Sequence, residues 1–174
     1  ERALSLLDEM RERGVSPNVI SFSAAISACE KGGQWERALS LLDEMREHGV
    51  SADRISFNAA ISACEKGRQW ERALSLLDEM RERGVTPDVI SFNAAISACE
   101  KGGKWERALS LLDEMREGGV TPNVISFSAA ISACEKGGQW ERALSLLEEM
   151  REAGVTPNVI SFNAAISALS LIHI

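Results

Sequence analysis

The sequence predicts an all-α solenoid of stacked helical hairpins, and three observations predict it. A 35-residue unit recurs through the 174 residues, marked by Trp35, Trp70, Trp105 and Trp140, by Met10, Met45, Met80, Met115 and Met150, and by Phe22, Phe57, Phe92, Phe127 and Phe162. A fixed period in this range is the signature of a stacked repeat array. Each unit carries apolar residues at helical spacing, with no alternation of period two. One unit cannot bury its own apolar stripe, so neighbours must stack.

The elements of one unit follow in order. Pro17 disfavours helix just before itself but suits a helix start. Asn18 is placed to cap a first helix, which is predicted from Val19 to Glu30. Lys31-Gly32-Gly33 breaks it, and a second helix is predicted from Trp35 to Glu47. Gly49 falls where a left-handed residue ends a helix. Propagated at the repeat period, this places full hairpins at residues 19–53, 54–88, 89–123 and 124–158. A lone second helix occupies residues 1–18 and a lone first helix residues 159–168. Both ends lack capping repeats, so they are expected to expose core surface and to permit self-association. The chain starts in the middle of a unit and is read as a fragment of a longer array, so its lack of a targeting segment carries no information about location.

Projection at about 100° per residue puts Phe22, Ala25, Ile26 and Cys29 on one side of the first helix, the expected buried stripe. Ile20, Ser23, Ser27 and Lys31 lie opposite. That second face is polar apart from its isoleucine, which recurs as Ile55, Ile90, Ile125 and Ile160. A lone exposed apolar residue needs no explanation, but a column of them on a polar face reads as a contact surface. In the second helix Trp35, Ala38, Leu41, Leu42 and Met45 form the apolar side. Glu36, Arg37, Asp43, Glu44 and Glu47 form a charged outer wall, expected to be solvated and laced with pairs one helical turn apart.

Composition excludes several classes. The chain is 45% hydrophobic, and no apolar run approaches the ~20 residues a membrane span needs. The net charge of −7 ordinarily argues against nucleic acid, but here most acidic residues belong to the outer wall, while the lysine column Lys31, Lys66, Lys101 and Lys136 belongs to the other helix layer. Cys29, Cys64, Cys99 and Cys134 are one repeat position seen four times. They form no close pair of the kind a zinc site needs, and stacking should hold them beyond disulfide reach. They read as small buried packing residues of a protein kept in a reducing compartment. No catalytic constellation is present: no deaminase signature, no phosphate loop, and carboxylates that sit in repeat register rather than in a convergent cluster. No cofactor, metal or small-molecule substrate is expected.

The units read V-I-S-F-N-A-A-I-S-A-C, then E-K-G-G, W-E-R-A-L-S-L-L-D-E-M and G-V-T-P-N. They closely resemble the pentatricopeptide repeat, the 35-residue P-type unit typified by V-x-[TS]-[YF]-N-x-[LA]-I, K-x-G, E-[ER]-A-L-x-L-[LF]-x-E-M and G-[VI]-x-P-[DN]. The resemblance covers essentially the whole chain. Ala52 in place of proline, Arg54 in place of valine and the Trp at the inter-helix turn depart from the pattern.

The resemblance implies a right-handed superhelix whose first helices line a groove for single-stranded RNA, one base per repeat. Carried onto this chain, the fifth and last residues of a repeat select the base. They are Ser23 with Asp53, Asn58 with Asp88, Asn93 with Asn123, and Ser128 with Asn158; Asn163 opens a further pair. Ile20, Ile55, Ile90, Ile125 and Ile160 would sandwich the bases, and Lys31, Lys66, Lys101 and Lys136 would contact phosphates. The implied reading is 5′-GUCA-3′, the third letter being the weakest. Function by resemblance is sequence-directed RNA binding without catalysis, in RNA processing, stability, splicing or editing in a mitochondrion or chloroplast. The alternative is a protein–protein scaffold, as other helical solenoids are, although a peptide groove would carry larger and more varied side chains.

After Ala168 the register is lost. Leu169-Ser170-Leu171-Ile172-His173-Ile174 resembles the translation of a transposon adapter used in sequencing libraries, and the expectation is a reading frame that ran into such sequence. His173 therefore carries no functional weight, and His48 is a surface variant of Arg13 and Arg83.

Overall fold

A computed structural model describes residues 2–170; Glu1 and most of the expected non-repeat tail, residues 171–174 with His173, lie outside the described residues. Among the described residues all regular structure is helical: α1 (Arg2–Glu12), α2 (Val19–Lys31), α3 (Trp35–Glu47), α4 (Arg54–Lys66), α5 (Trp70–Glu82), α6 (Val89–Lys101), α7 (Trp105–Glu117), α8 (Val124–Lys136), α9 (Trp140–Glu152) and α10 (Val159–Ser170). The bounds agree with the punctuation of the sequence to about one residue. The exceptions are α1, which stops at Glu12 within the expected residues 1–18, and α10, which runs on through Leu169 and Ser170, since neither residue breaks a helix.

The chain divides into two units, Glu1–Pro87 and Asp88–Ile174. In the first, α2 packs on α3 and α4 packs on α5 to make hairpins, α2 stacks on α4, and α1 packs on α2. In the second, the hairpins α6–α7 and α8–α9 are followed by α10, with α6 stacked on α8 and α8 on α10. Each unit is thus an α-solenoid segment in which first helices stack on first helices.

Side-chain size sets this stacking. Phe22, Ala25, Ile26 and Cys29 of α2 are buried, as are Ala38, Leu41, Leu42 and Met45 of α3, and α8 and α9 repeat the pattern. Complete burial of one such large side chain stabilises by about 1.5–3 kcal/mol. The cysteines are free and buried, as their spacing implies. Leu6, Ile166 and Phe162 are exposed, the last at 40% against none for Phe22 and Phe127. Core-type surface is therefore open at both ends of the described chain.

The inter-helix tryptophan differs from its projection. Trp35 is half-buried rather than a core residue. Its indole lies over Gly67, at the end of the next first helix, with the Arg72 guanidinium carbon 5.5 Å from the ring centroid. The outer wall also does more than hydrate. Within a helix, Arg46 pairs with Asp43 at 2.6 Å, three residues back; across repeats it reaches Glu79 at 2.5 Å. Arg116 likewise bridges to Glu149 at 3.0 Å. Each pair is worth at most about 1 kcal/mol, but they tie neighbouring second helices together and neutralise part of the acidic wall.

Candidate nucleic-acid interface

The interface is built from the N-terminal turns of the first helices. The last residue of a repeat is also the N-cap of the next first helix. Asp53 Oδ1 accepts from the Ser56 backbone N–H at 2.9 Å. Asn123 Oδ1 accepts from Ile125 N and Ser126 N at 3.0 and 3.2 Å. Asp88 caps α6 in the same way, through Ile90 N and Ser91 N. Capping satisfies backbone donors that a helix start leaves open, so these side chains hold one orientation.

Stacking brings the fifth residue of a repeat beside its last residue, 30 positions away. Ser23 Oγ lies 3.4 Å from Asp53 Oδ1, and Ser128 Oγ 3.4 Å from Asn158 Oδ1. Asn93 Nδ2 donates to Asn123 Oδ1 at 3.2 Å. Asn58 is half-buried in the first unit and Asp88 half-buried in the second. Asn163, on α10, is exposed.

Helical projection alone put the fifth residue on the polar face opposite the core, and the structure corrects this. Ser23 and Ser128 are 6% exposed and Asn93 9%. The following first helix covers them, because position five lies at the seam where first helices stack. The isoleucine column stands as projected: Ile20, Ile55, Ile90, Ile125 and Ile160 are all exposed, between 55% and 73%. Within each unit these apolar side chains project from the first turn of each first helix, beside the fifth-and-last pair.

The lysines occupy the other end of the same helices, and two of them are already engaged. Lys66 Nζ is ion-paired with Glu30, and Lys136 Nζ with Glu100, in each case across the stack to the preceding first helix. Lys101 is exposed and also engaged, and Lys31 is exposed with no partner among the described residues. Sequence reasoning missed Glu30 and Glu100 as partners of the lysines. It also missed the third-position serines Ser56, Ser126 and Ser161, which are fully buried between the paired side chains. A signal was present for the serines: each stands three residues past a capping Asp or Asn, the spacing of a capping box. The glutamates gave none, because their partners lie 36 residues away.

Among the described residues no group of three or more His, Cys, Asp or Glu is placed to hold a metal ion, and no helix is long and apolar enough to cross a membrane.

Comparison with known proteins bears on the family and the fold. The family model of the pentatricopeptide repeat domain matches residues 5–67, 40–102, 75–138 and 110–170. Curated protein sequences contain no match. The chain is similar to the pentatricopeptide repeat protein PPR10 in complex with an 18-nt psaJ RNA element, at 29% identity and a TM-score of 0.83 over 98% of this chain. It spans 25% of that PPR10 chain. PPR10 from maize in a further crystal structure matches at the same 29% identity, with a TM-score of 0.71 over 98% of this chain and 24% of that one. The PPR domain of Arabidopsis thaliana protein-only RNase P 1, in complex with tRNA, shares the fold at 20% identity and a TM-score of 0.76, over 86% of this chain and 79% of that one. With repeats matched from residue 5 to residue 170 and hairpins stacked as that unit requires, the chain belongs to the pentatricopeptide repeat family.

Proposed function

We propose that this chain binds single-stranded RNA by sequence, one base to a repeat, reading 5′-GUCA-3′ through the repeats 19–53, 54–88, 89–123 and 124–158. The observation that carries the reading is the side-by-side placement of fifth and last residues beside an exposed isoleucine, seen at Ser23–Asp53, Asn93–Asn123 and Ser128–Asn158. The RNA complexes of PPR10 and the tRNA complex of the RNase P domain support it as chemistry of which related chains are capable.

Capping explains how the last residue selects a base. Among the described residues, every bond to the head groups of Asp53, Asn123 and Asn158 engages Oδ1. Backbone N–H groups need an acceptor, so the oxygen of each asparagine is turned toward the helix and its Nδ2 is left for a ligand. Asp53 in the same pose leaves a second carboxylate oxygen. An asparagine therefore offers an N–H, suited to adenine N1 or cytosine N3, while an aspartate offers only an acceptor, suited to the N–H of guanine or uracil. Exposed isoleucines supply apolar walls for the base faces, where stacking contributes roughly 1–3 kcal/mol per base.

Lys66 and Lys136 would reach phosphates in competition with Glu30 and Glu100, so affinity is expected to be modest and strongly salt-dependent. A scaffold function lacks a comparable observation. An organellar role in RNA processing, stability, splicing or editing belongs to the same reading; localisation of the protein in cells tests that part. The exposed Phe162, Ile166 and Leu6 also favour self-association, which sedimentation over a concentration series would reveal.

The deciding experiment is titration of the chain with RNA carrying GUCA against a scrambled oligomer across a salt series. Preference for GUCA, with Asp53→Asn shifting the first preference from guanine toward adenine, supports the reading. Equal affinity for both oligomers at every salt concentration overturns it.

A further inference from the structure

We propose that the buried third-position hydroxyls of Ser56, Ser126 and Ser161 are positioning residues: each helps to hold the base-selecting pair of the repeat before it in the hydrogen-bonding polarity that the pair presents to RNA. This rests on the RNA reading above and extends it to residues outside the groove surface.

The three serines are fully buried, and each hydroxyl has one proton to give and lone pairs to receive. In the Ser–Asp pair, Ser56 Oγ donates to Asp53 Oδ1 at 2.7 Å, because the carboxylate has nothing to donate. Ser56 Oγ lies 2.7 Å from Ser23 Oγ, and Ser23 Oγ lies 2.6 Å from the Val19 carbonyl. Whichever of these takes the Ser23 proton, that proton points into the protein. Only lone pairs of Ser23 remain for a base. Ser161 stands in the same relation to Ser128 and Asn158, at 2.8 and 2.9 Å.

In the Asn–Asn pair the same hydroxyl turns round. Ser126 Oγ lies 2.6 Å from Asn93 Oδ1 and 3.2 Å from Asn123 Oδ1; both are acceptors, and the single proton goes to the nearer. Asn93 is thereby held with its oxygen inward. One hydrogen of its Nδ2 goes to Asn123 at 3.2 Å, and the second is left for a ligand. A fifth-position serine thus presents a lone pair and a fifth-position asparagine an N–H. An N–H suits the O2 carbonyl that cytosine and uracil share. A hydroxyl serves both cases because it donates or accepts as its neighbour requires, which neither alanine nor a fixed-polarity group would do.

The test uses Ser126→Ala and Ser126→Thr in the whole chain. Without RNA, the Asn93 side-chain amide is followed by nitrogen-15 NMR, its signal assigned through Asn93→Ser. Ser126→Ala should shift that signal and speed its hydrogen exchange several-fold, and Ser126→Thr should restore both. With RNAs that vary only the third nucleotide, Ser126→Ala should lower the pyrimidine-over-purine affinity ratio by about two- to tenfold, the worth of one hydrogen bond. Ratios at the other nucleotides should hold, and threonine should rescue. A loss of affinity equal for all four third nucleotides, or an Asn93 amide that does not move, overturns the proposal. If the unaltered chain shows no discrimination at all, the RNA reading itself fails and takes this proposal with it.

Discussion

Trp35 lies so close over Gly67 that a Cβ on Gly67 would stand 2.3 Å from the indole Cδ1. Trp105 and Gly137 repeat the relationship at the same distance. The bulky side chain at one inter-helix turn thus requires a bare backbone at the next, which gives the unusual tryptophan a role in stacking. Gly67→Ala should destabilise the first unit by about 1–3 kcal/mol, as overpacking does. Gly32→Ala, whose Cβ would meet nothing nearer than 3.4 Å, should be close to neutral. Chemical denaturation of both variants checks this, and adding Trp35→Ala to Gly67→Ala should recover part of the loss.

Arg68 has a positive φ of 56°, where the equivalent Gly33, Gly103 and Gly138 have 67°, 68° and 67°. A side chain in this conformation costs roughly 1–2 kcal/mol, offset in part by the greater freedom of glycine in the unfolded chain. Arg68→Gly is therefore expected to stabilise by about 1 kcal/mol. A thermal melt that shows no gain would contradict this.

Glu100 holds Lys136 in an ion pair at the end of the first helix, opposite the isoleucine end. Glu100→Gln removes a negative charge and frees that ammonium. Affinity should rise for matched and scrambled RNA alike, and the salt dependence should steepen by up to about 0.7 in log–log slope, the increment for one added phosphate contact on a single strand. An unchanged slope would show that Lys136 does not meet a phosphate.

Burial pushes the thiols of Cys64, Cys99 and Cys134 up to about 11, the larger effect, with Arg72, Arg107 and Arg142 pulling the other way. The unfolded chain releases these protons near the ordinary thiol value. The protonated thiols therefore contribute stability that is complete below that value and is lost as pH rises through about 11. The denaturation midpoint should fall steadily over pH 9–11, and Cys99→Ala should fall less steeply. Native thiols should also resist aromatic disulfide reagents at neutral pH until denaturant is added.

The local content of the sequence determined a great deal. Caps, glycines and helical periodicity act within a few residues, so the helix bounds, the Phe22–Ala25–Ile26–Cys29 stripe and the exposed isoleucine column were all legible. Tertiary structure alone decided what happens at the seams between repeats. Ser23 reads as a polar-face residue until α4 covers it, Ser56 is a plain capping serine until Ser23 arrives beside it, and Lys66 is a free cation until Glu30 comes within reach. Each of these pairs is separated by 30 to 36 residues. Their meeting is set by how closely successive first helices stack, a distance fixed by packing and not by the periodicity of either helix.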